Sequence, residues 1–295
     1  MSASHSRSAA TVYGVAAILL WSSLAVVALS TNSLPPFQVL AISFAIGGAT
    51  GIFATAWRQG WSRAAFFQPW PSFVVALIAL FGYHALYFIA FRHAPAIEAN
   101  LINYLWPLLI VVFAAFVPGN HLSIGQIVGT LLGLAGVLLM VTRAQGFSLD
   151  PAFLGGYLAA AGAALTWSAY SILNRRFNAV PSSAISVVCL CVALLAAIVH
   201  CVFEVTLVPN LWQTAMLVLM GIGPVGIAFL LWDHGTKHGD IAVLGTLSYA
   251  APVLSTLLLL LSGRVQAHWT QAAALALLLV GAWLSVRSAK RENNN

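Results

Sequence analysis

The chain has 295 residues, of which 61% are hydrophobic and 6% charged. A water-soluble domain carries roughly 25% charged residues, so a fully solvated surface is excluded and a polytopic α-helical membrane protein is expected. The net charge of +6 does not point to nucleic acid, because the basic residues stand singly or in pairs between apolar runs.

Charges, Pro/Gly clusters and polar breaks divide the chain into ten predicted helices. The first, 9–29, follows "MSASHSRSAATVYG" and is read as a membrane helix, not as a cleaved signal, for want of a clean small-residue cleavage site. The second and third, 36–56 and 72–92, flank a connection at 57–71. The fourth, 96–116, holds "NYLWPLLIV" from Asn103 to Val111, with a proline at its centre. The fifth spans 122–142. After the 143–152 connection come 153–174, 182–203, 212–232, 241–261 and 268–287. The ninth holds "SYAAPVLST" from Ser248 to Thr256. Each run is about 20 residues, enough to cross a bilayer.

If both termini face the cytoplasm, that side receives Arg7, Arg58, Arg63, Arg175, Arg176, Lys237, Arg287, Lys290 and Arg291. The other side receives Arg92, Arg143 and Arg264, which makes nine against three. The excess of inner positive charge sets the expected orientation. Trp57, Trp61, Trp70, Trp212, Trp232, Trp269 and Trp283 lie near helix ends and read as interfacial anchors. Trp21, Trp106 and Trp167 lie near helix centres, where an aromatic belt does not account for them.

The two halves repeat. A shift of 145 residues carries Tyr104 onto Tyr249, Pro107 onto Pro252, His93 onto His238, Gln126 onto Gln271 and Gly136 onto Gly281. A shift of 146 carries Trp21-Ser22 onto Trp167-Ser168. The expected units are 1–147 and 148–295, each with five helices. Five is odd, so the second copy enters the membrane from the opposite side. Inverted repeats of this kind build many secondary transporters, with substrate held near the midplane.

Two stretches carry a family resemblance. "LYFIAFRHAPAIEANLINYLWPLLIVVFAAFV" followed by "LSIGQIVGTLLGLAGVLLM" resembles the EamA-type repeat of the drug/metabolite transporter superfamily. "LLWDHGTKHGDIAVLGTLSYAAPVLSTLLLLL" with "TQAAALALLLVGAWLS" is a looser second copy. Within the superfamily the chain is most similar to aromatic amino acid exporters of the YddG type, chiefly through "GYHALYFIAFRHAPAIEANLINYLWPLL". The resemblance implies ten helices, cytoplasmic termini and export of aromatic and related amino acids across a bacterial inner membrane. Many members carry an acidic residue after the fourth helix; here the loop reads "VPGNHLS".

Polar groups in hydrocarbon are costly unless they face a cavity or another helix. His84, flanked by Tyr83 and Tyr87, is a candidate substrate contact and proton relay, against the plainer reading of an interhelical hydrogen bond. Asn100, Asn103 and Pro107 share one face of the fourth helix, with Tyr104 and Trp106 at its edges. Gly245, Ser248 and Pro252, with Tyr249, repeat that face in the ninth. Pro107 and Pro252 cannot donate to the carbonyls of Asn103 and Ser248. Such freed acceptors survive at membrane depth only when buried in protein or lining a wet cavity, and an α-ammonium group suits them. The prolines are assigned to scaffold and hinge. Trp106 and Trp167, with Tyr170 and Ser171 beside the latter, are expected to wall the site. Asp233, His234, Lys237, His238 and Asp240 are read as a solvated loop cluster. His84 and His200 are then the deep titratable groups, which leaves facilitated efflux at least as well supported as proton antiport.

No HExxH, GxSxG or close acidic pair supports an intramembrane enzyme. Cys189, Cys191 and Cys201 read as buried fillers, and no metal or cofactor is expected. A channel or a signalling protein fits the repeat less well than a carrier. The nearer alternative is the same fold exporting another small metabolite, an amine or a drug by proton antiport. Gly47/Gly51 and Gly125/Gly129/Gly133 suit close packing inside a monomer, with a dimer as the alternative. The partners expected are the lipid bilayer and a small amino-acid substrate.

Overall fold

A computed structural model describes residues 2–118, 122–146, 148–263 and 265–292, and among these every regular element is helical. Ten spans are long and apolar enough to cross a membrane. They are α1 Ser6–Thr31, α2 Pro36–Gln59, α3 Trp70–His93, α4 Ala96–Ala114, α5 Ile124–Thr142, α6 Pro151–Phe177, α7 Ser182–Phe203, α8 Leu211–His238, α9 Ile241–Leu261 and α10 Trp269–Ala289. Most ends fall within a few residues of the sequence-based boundaries. Two elements of that reading, Arg264 and the Gly119–Asn120–His121 part of the loop after α4, lie outside the described residues.

Local chemistry sets the helix starts. Pro36 and Pro71 occupy first-turn positions, where a missing N–H costs nothing. Ser123 caps α5 and receives the Gln126 amide in a reciprocal capping box. In the second half Gln271 does the same work for α10, its Oε1 accepting from His268 N at 3.0 Å, against 2.9 Å for Gln126 and Ser123 N. The glutamine shared by both repeats is therefore a cap. Asp240 caps α9, accepting from Val243 N at 3.0 Å.

Four spans are irregular inside the bundle. α4 breaks at Tyr104–Leu105, α9 at Ser248–Tyr249, and α1 at Ser23. α8 carries a π-helical stretch at Gly221–Ile227 around Pro224. Proline removes a backbone donor from the helical ladder, and an interior proline is relieved by widening or breaking the turn. The carbonyl of Pro224 is held by the Trp21 indole N–H at 2.9 Å.

The packing exchanges under the repeat. α2 lies on α7 and α5 on α10, each helix against its own counterpart. α3 packs on α6 while α8 packs on α1, and α4 meets α6 while α9 meets α1. At the α5–α10 crossing a Cβ on Gly129 would run into the Gly281 carbonyl, and a Cβ on Gly136 would lie 3.1 Å from the Ala274 carbonyl. Gly129 corresponds to Ala274 and Gly136 to Gly281, so the two contacts are one contact repeated, as a two-fold relation requires. Gly47 similarly closes on Gly221 and Gly226, and Gly133 on Tyr249. All these glycines are used within the chain.

The structure corrects the reading of residues 232–240. α8 continues to His238 in place of stopping at 232. Asp233 and Lys237 are 2% and 5% exposed, not solvated. Trp232 is 1% exposed, not interfacial, whereas Trp57, Trp61, Trp70, Trp212, Trp269 and Trp283 are exposed as expected. The physical reason is mutual neutralisation: Lys237 Nζ lies 2.8 Å from Asp233 Oδ2, one helical turn away, so the polar turn is buried as a pair.

Candidate functional site

The breaks in α4 and α9 lie side by side. Gly245 of α9 allows this approach, since a Cβ there would meet Val111 at 2.7 Å and the Pro107 carbonyl at 3.1 Å. α6 braces the same region: Ser168 Oγ donates to the Trp106 carbonyl at 2.9 Å. The same hydroxyl lies 2.7 Å from the Ala164 carbonyl of its own helix, so its one proton is shared between the two helices.

Against this frame sits a continuous group of rings from six spans. Trp21 of α1 lies 5.6 Å from Trp167 of α6 and 5.1 Å from Trp232 of α8, centroid to centroid. Trp167 and Trp232 are stacked at 6.2 Å, and Trp106 of α4 meets Trp232 edge-on at 6.1 Å. Tyr83 of α3 lies 5.6 Å from Trp167, and Tyr170 lies 5.5 Å from it. Phe229 and Phe44 extend the wall, with Phe44 edge-on to His84 at 5.2 Å. Edge-to-face and offset geometries of this kind are the favourable ones for aromatic groups.

Polar groups border the cluster. Asn103, 3% exposed, donates from Nδ2 to the Tyr83 hydroxyl at 3.2 Å, while its Oδ1 is buried with no hydrogen-bond partner. The Tyr87 hydroxyl donates to Asn100 Oδ1 at 2.8 Å. His84 Nδ1 lies 2.6 Å from the Leu80 carbonyl. A carbonyl only accepts, so Nδ1 carries the proton and, in the neutral ring, Nε2 is an acceptor.

The sequence-selected residues divide accordingly. Tyr83, His84, Asn103, Trp106, Trp167 and Tyr170 come together around the rings. Asn100 borders them through Tyr87. Tyr104 and Tyr249 pack instead into a second apolar cluster with Val137, Val253 and Leu278, among α4, α5, α9 and α10. Ser248 is fully buried and spends its hydroxyl on the Leu244 carbonyl of its own helix at 2.7 Å. Pro107 and Pro252 are buried beside the breaks. Trp21, whose mid-helix position an aromatic belt does not account for, also joins the rings.

One end of the cluster is closed by a buried polar network that sequence reasoning missed. Asp233 accepts from Asn174 Nδ2 at 2.9 Å and from the Tyr170 hydroxyl at 3.4 Å. Lys237 Nζ also donates to the Val180 carbonyl at 2.9 Å. Arg175 donates to the carbonyls of Thr236 and Gly239 at 2.8 and 3.0 Å, and Arg7 pairs with Asp240 at 3.1 Å. The i,i+4 spacing of Asp233 and Lys237 was the available signal. His200, the other deep histidine, pairs with Glu204 at 2.8 Å on the opposite end, where Glu204 also accepts from Phe37 N and Gln38 N. That places His200 in the α2–α7 join and away from the rings. Among the described residues no group of three His, Cys, Asp or Glu is placed to hold a metal.

The EamA-like transporter family model matches the chain twice, over residues 8–142 and 154–287. The chain belongs to the EamA-like transporter family. It is 48% identical to "Aromatic amino acid exporter YddG" of Ancylobacter novellus, over 97% of this chain and 100% of that one. It is 27% identical to the protein of the same name from Escherichia coli K12, over 95% and 99%. A protein crystal structure with 48% identity superposes with a TM-score of 0.93, covering 97% of this chain and 98% of that one. As an EamA-like transporter the chain is a multi-pass membrane protein, and the double match sets one family unit on each half.

Proposed function

We propose that the chain exports aromatic amino acids across a bacterial inner membrane by alternating access, as a carrier and not an enzyme. The observation that carries this reading is the ring cluster at the paired helix breaks, bordered by a buried acceptor, Asn103 Oδ1, that the protein leaves unpaired. Such an atom is costly to bury alone, and a substrate ammonium would relieve it while the substrate ring joins Trp21, Trp167 and Tyr83. The names of the full-length relatives support the same substrate class.

The proposed units are 1–147 and 148–295, related by inversion in the membrane. The exchange-symmetric packing supports this. Both termini are placed in the cytoplasm; with Lys237 withdrawn into its ion pair, eight basic residues still face three. In that orientation the Asp233–Lys237 network closes the cytoplasmic end. Pro107 and Pro252 act as scaffold and hinge. Tyr83, His84, Asn103, Trp106, Trp167 and Tyr170 form the substrate site, with Asn100 at its border, and Tyr104, Ser248 and Tyr249 support the broken helices from behind. The carrier is facilitative or weakly proton-coupled, with His84 a candidate relay at the rings.

Purified protein in liposomes preloaded with phenylalanine, tyrosine or tryptophan should show counterflow of the labelled amino acid. No counterflow with any of the three would overturn the assignment. Running the assay with and without a pH gradient separates facilitation from proton antiport.

A further inference from the structure

The charges around the ring cluster are arranged unevenly for an amino acid. A zwitterion brings one cation and one anion. For the cation the cluster offers the unpaired Asn103 Oδ1, the His84 nitrogen turned away from the Leu80 carbonyl and the faces of Trp21, Trp167 and Tyr83. Indole and phenol faces attract ammonium groups directly. For the anion it offers neutral donors only, the Tyr83 hydroxyl among them. Among the described residues the lysine linked to the cluster is Lys237, reached through Tyr170 and Asp233, and it is already committed to Asp233 at 2.8 Å and to the Val180 carbonyl at 2.9 Å. Arg175 and Arg7 are likewise spent, on carbonyls and on Asp240.

An ammonium therefore gains charge-assisted bonds here, and a carboxylate meets no counter-charge. A ligand with the ring and the ammonium but no carboxylate keeps every contact the cluster is built to give. Resting on the assignment of this cluster as the substrate site, we propose that the transporter also binds and carries arylalkylamines, with Asn103 as the residue that selects the ammonium end. Phenethylamine and tryptamine are the simplest members of the class. Their acid counterparts, 3-phenylpropionate and indole-3-propionate, carry the same ring and the wrong charge.

The test uses the full chain in liposomes, with phenylalanine counterflow as the readout and the four compounds as competitors near neutral pH. Competition is the readout because free amines leak through bilayers. The amines should compete within about threefold of phenylalanine, and the acids at least about tenfold more weakly, the factor that one lost charge-assisted hydrogen bond represents. Acids competing as well as amines, or amines failing where phenylalanine succeeds, would overturn the inference and leave amino-acid export standing. Absence of phenylalanine counterflow would instead remove the functional assignment, and binding of the same series to the detergent-purified protein, read as thermal stabilisation, then decides the amine question alone. Asn103→Leu should weaken the amines about tenfold and leave the acids unchanged, while Asn103→Asp should retain or tighten the amines. Equal losses for amine and acid in Asn103→Leu would show that Asn103 only shapes the site and would refute its selecting role.

Discussion

Replacing Lys237 with methionine keeps the aliphatic stem and removes the charge. The parent pair is nearly sealed from solvent, with side chains 2% and 3% exposed and a separation of 2.8 Å. Asp233 would keep its bonds from Asn174 and Tyr170 but lose its only cation, and the Val180 carbonyl would lose its donor. Stranding one member of a buried ion pair costs about 3–5 kcal/mol, whereas replacing both members by apolar residues of similar volume is close to neutral. Lys237→Met should therefore lower the thermal midpoint of the purified protein sharply, and Asp233→Leu/Lys237→Met should recover most of the loss. The measurement is a double-mutant cycle read by fluorescence-detected size-exclusion chromatography after heating, with the coupling between the two positions as its output. A Lys237→Met midpoint equal to the parent's would refute the claim that the pair is buried and mutually dependent. A double variant as unstable as the sum of the singles would refute it equally, by showing that each residue acts alone.

Trp21→Phe keeps a ring against Trp167 and Trp232 but removes the N–H that reaches the Pro224 carbonyl at 2.9 Å; it should cost about 1 kcal/mol in thermal stability, and transport should fall if the π-helical stretch sets the position of Phe229 and Trp232. Gly129→Ala places a methyl group against the Gly281 carbonyl and should destabilise by about 1–3 kcal/mol, whereas Gly155→Ala, with open space around it, should leave the melting curve unchanged. Ser168→Ala removes a hydroxyl shared between the Trp106 carbonyl at 2.9 Å and the Ala164 carbonyl at 2.7 Å and should lower transport more than Ser248→Ala, whose hydroxyl only bonds its own helix; equal effects in the flux assay would break the distinction drawn between the two helix breaks.

The helices were legible because a bilayer imposes a length and a composition, and both are written in the residues. The exception is instructive. A hydropathy reading stops α8 at Trp232, because four charged or titratable residues follow in the next six. It cannot see that two of them cancel. Pairing is a property of three-dimensional neighbours, and only the i,i+4 spacing of Asp233 and Lys237 hinted at it. The same limit explains the site. Spacing along α4 puts Asn100, Asn103 and Pro107 on one face, of which Asn103 meets Tyr83 and Asn100 meets Tyr87, but Tyr104 and Tyr249 face the α5–α10 side, which no periodicity within one broken helix could decide. Trp232 reads as an interfacial anchor only because the helix is ended there, and the π-helical stretch before Phe229 shifts the face that later residues present.

The repeat itself separates what is frame from what is chemistry. Residues shared by both copies do structural work: Gln126 and Gln271 cap, Gly136 and Gly281 permit the α5–α10 crossing, Tyr104 and Tyr249 fill the second cluster, and Pro107 and Pro252 follow the breaks. Of the residues at the rings, Trp21 and Trp167 are also shared, whereas others differ between the copies. Asn103 and Trp106 stand where the second copy has Ser248 and Ala251, and α8 carries a proline-bearing π-helical stretch where α3 is regular. Two matched halves give a carrier two comparable closed ends, but a substrate with one ring and one ammonium is not two-fold symmetric. A site at the symmetry axis must therefore break the symmetry to hold it in one orientation. Here α4, α6 and α8 supply the breaking residues. Substitutions at the unshared Asn103 and Trp106 should accordingly alter which solutes compete, and substitutions at the shared Gln126, Gly136, Gln271 and Gly281 should alter how much folded protein is obtained.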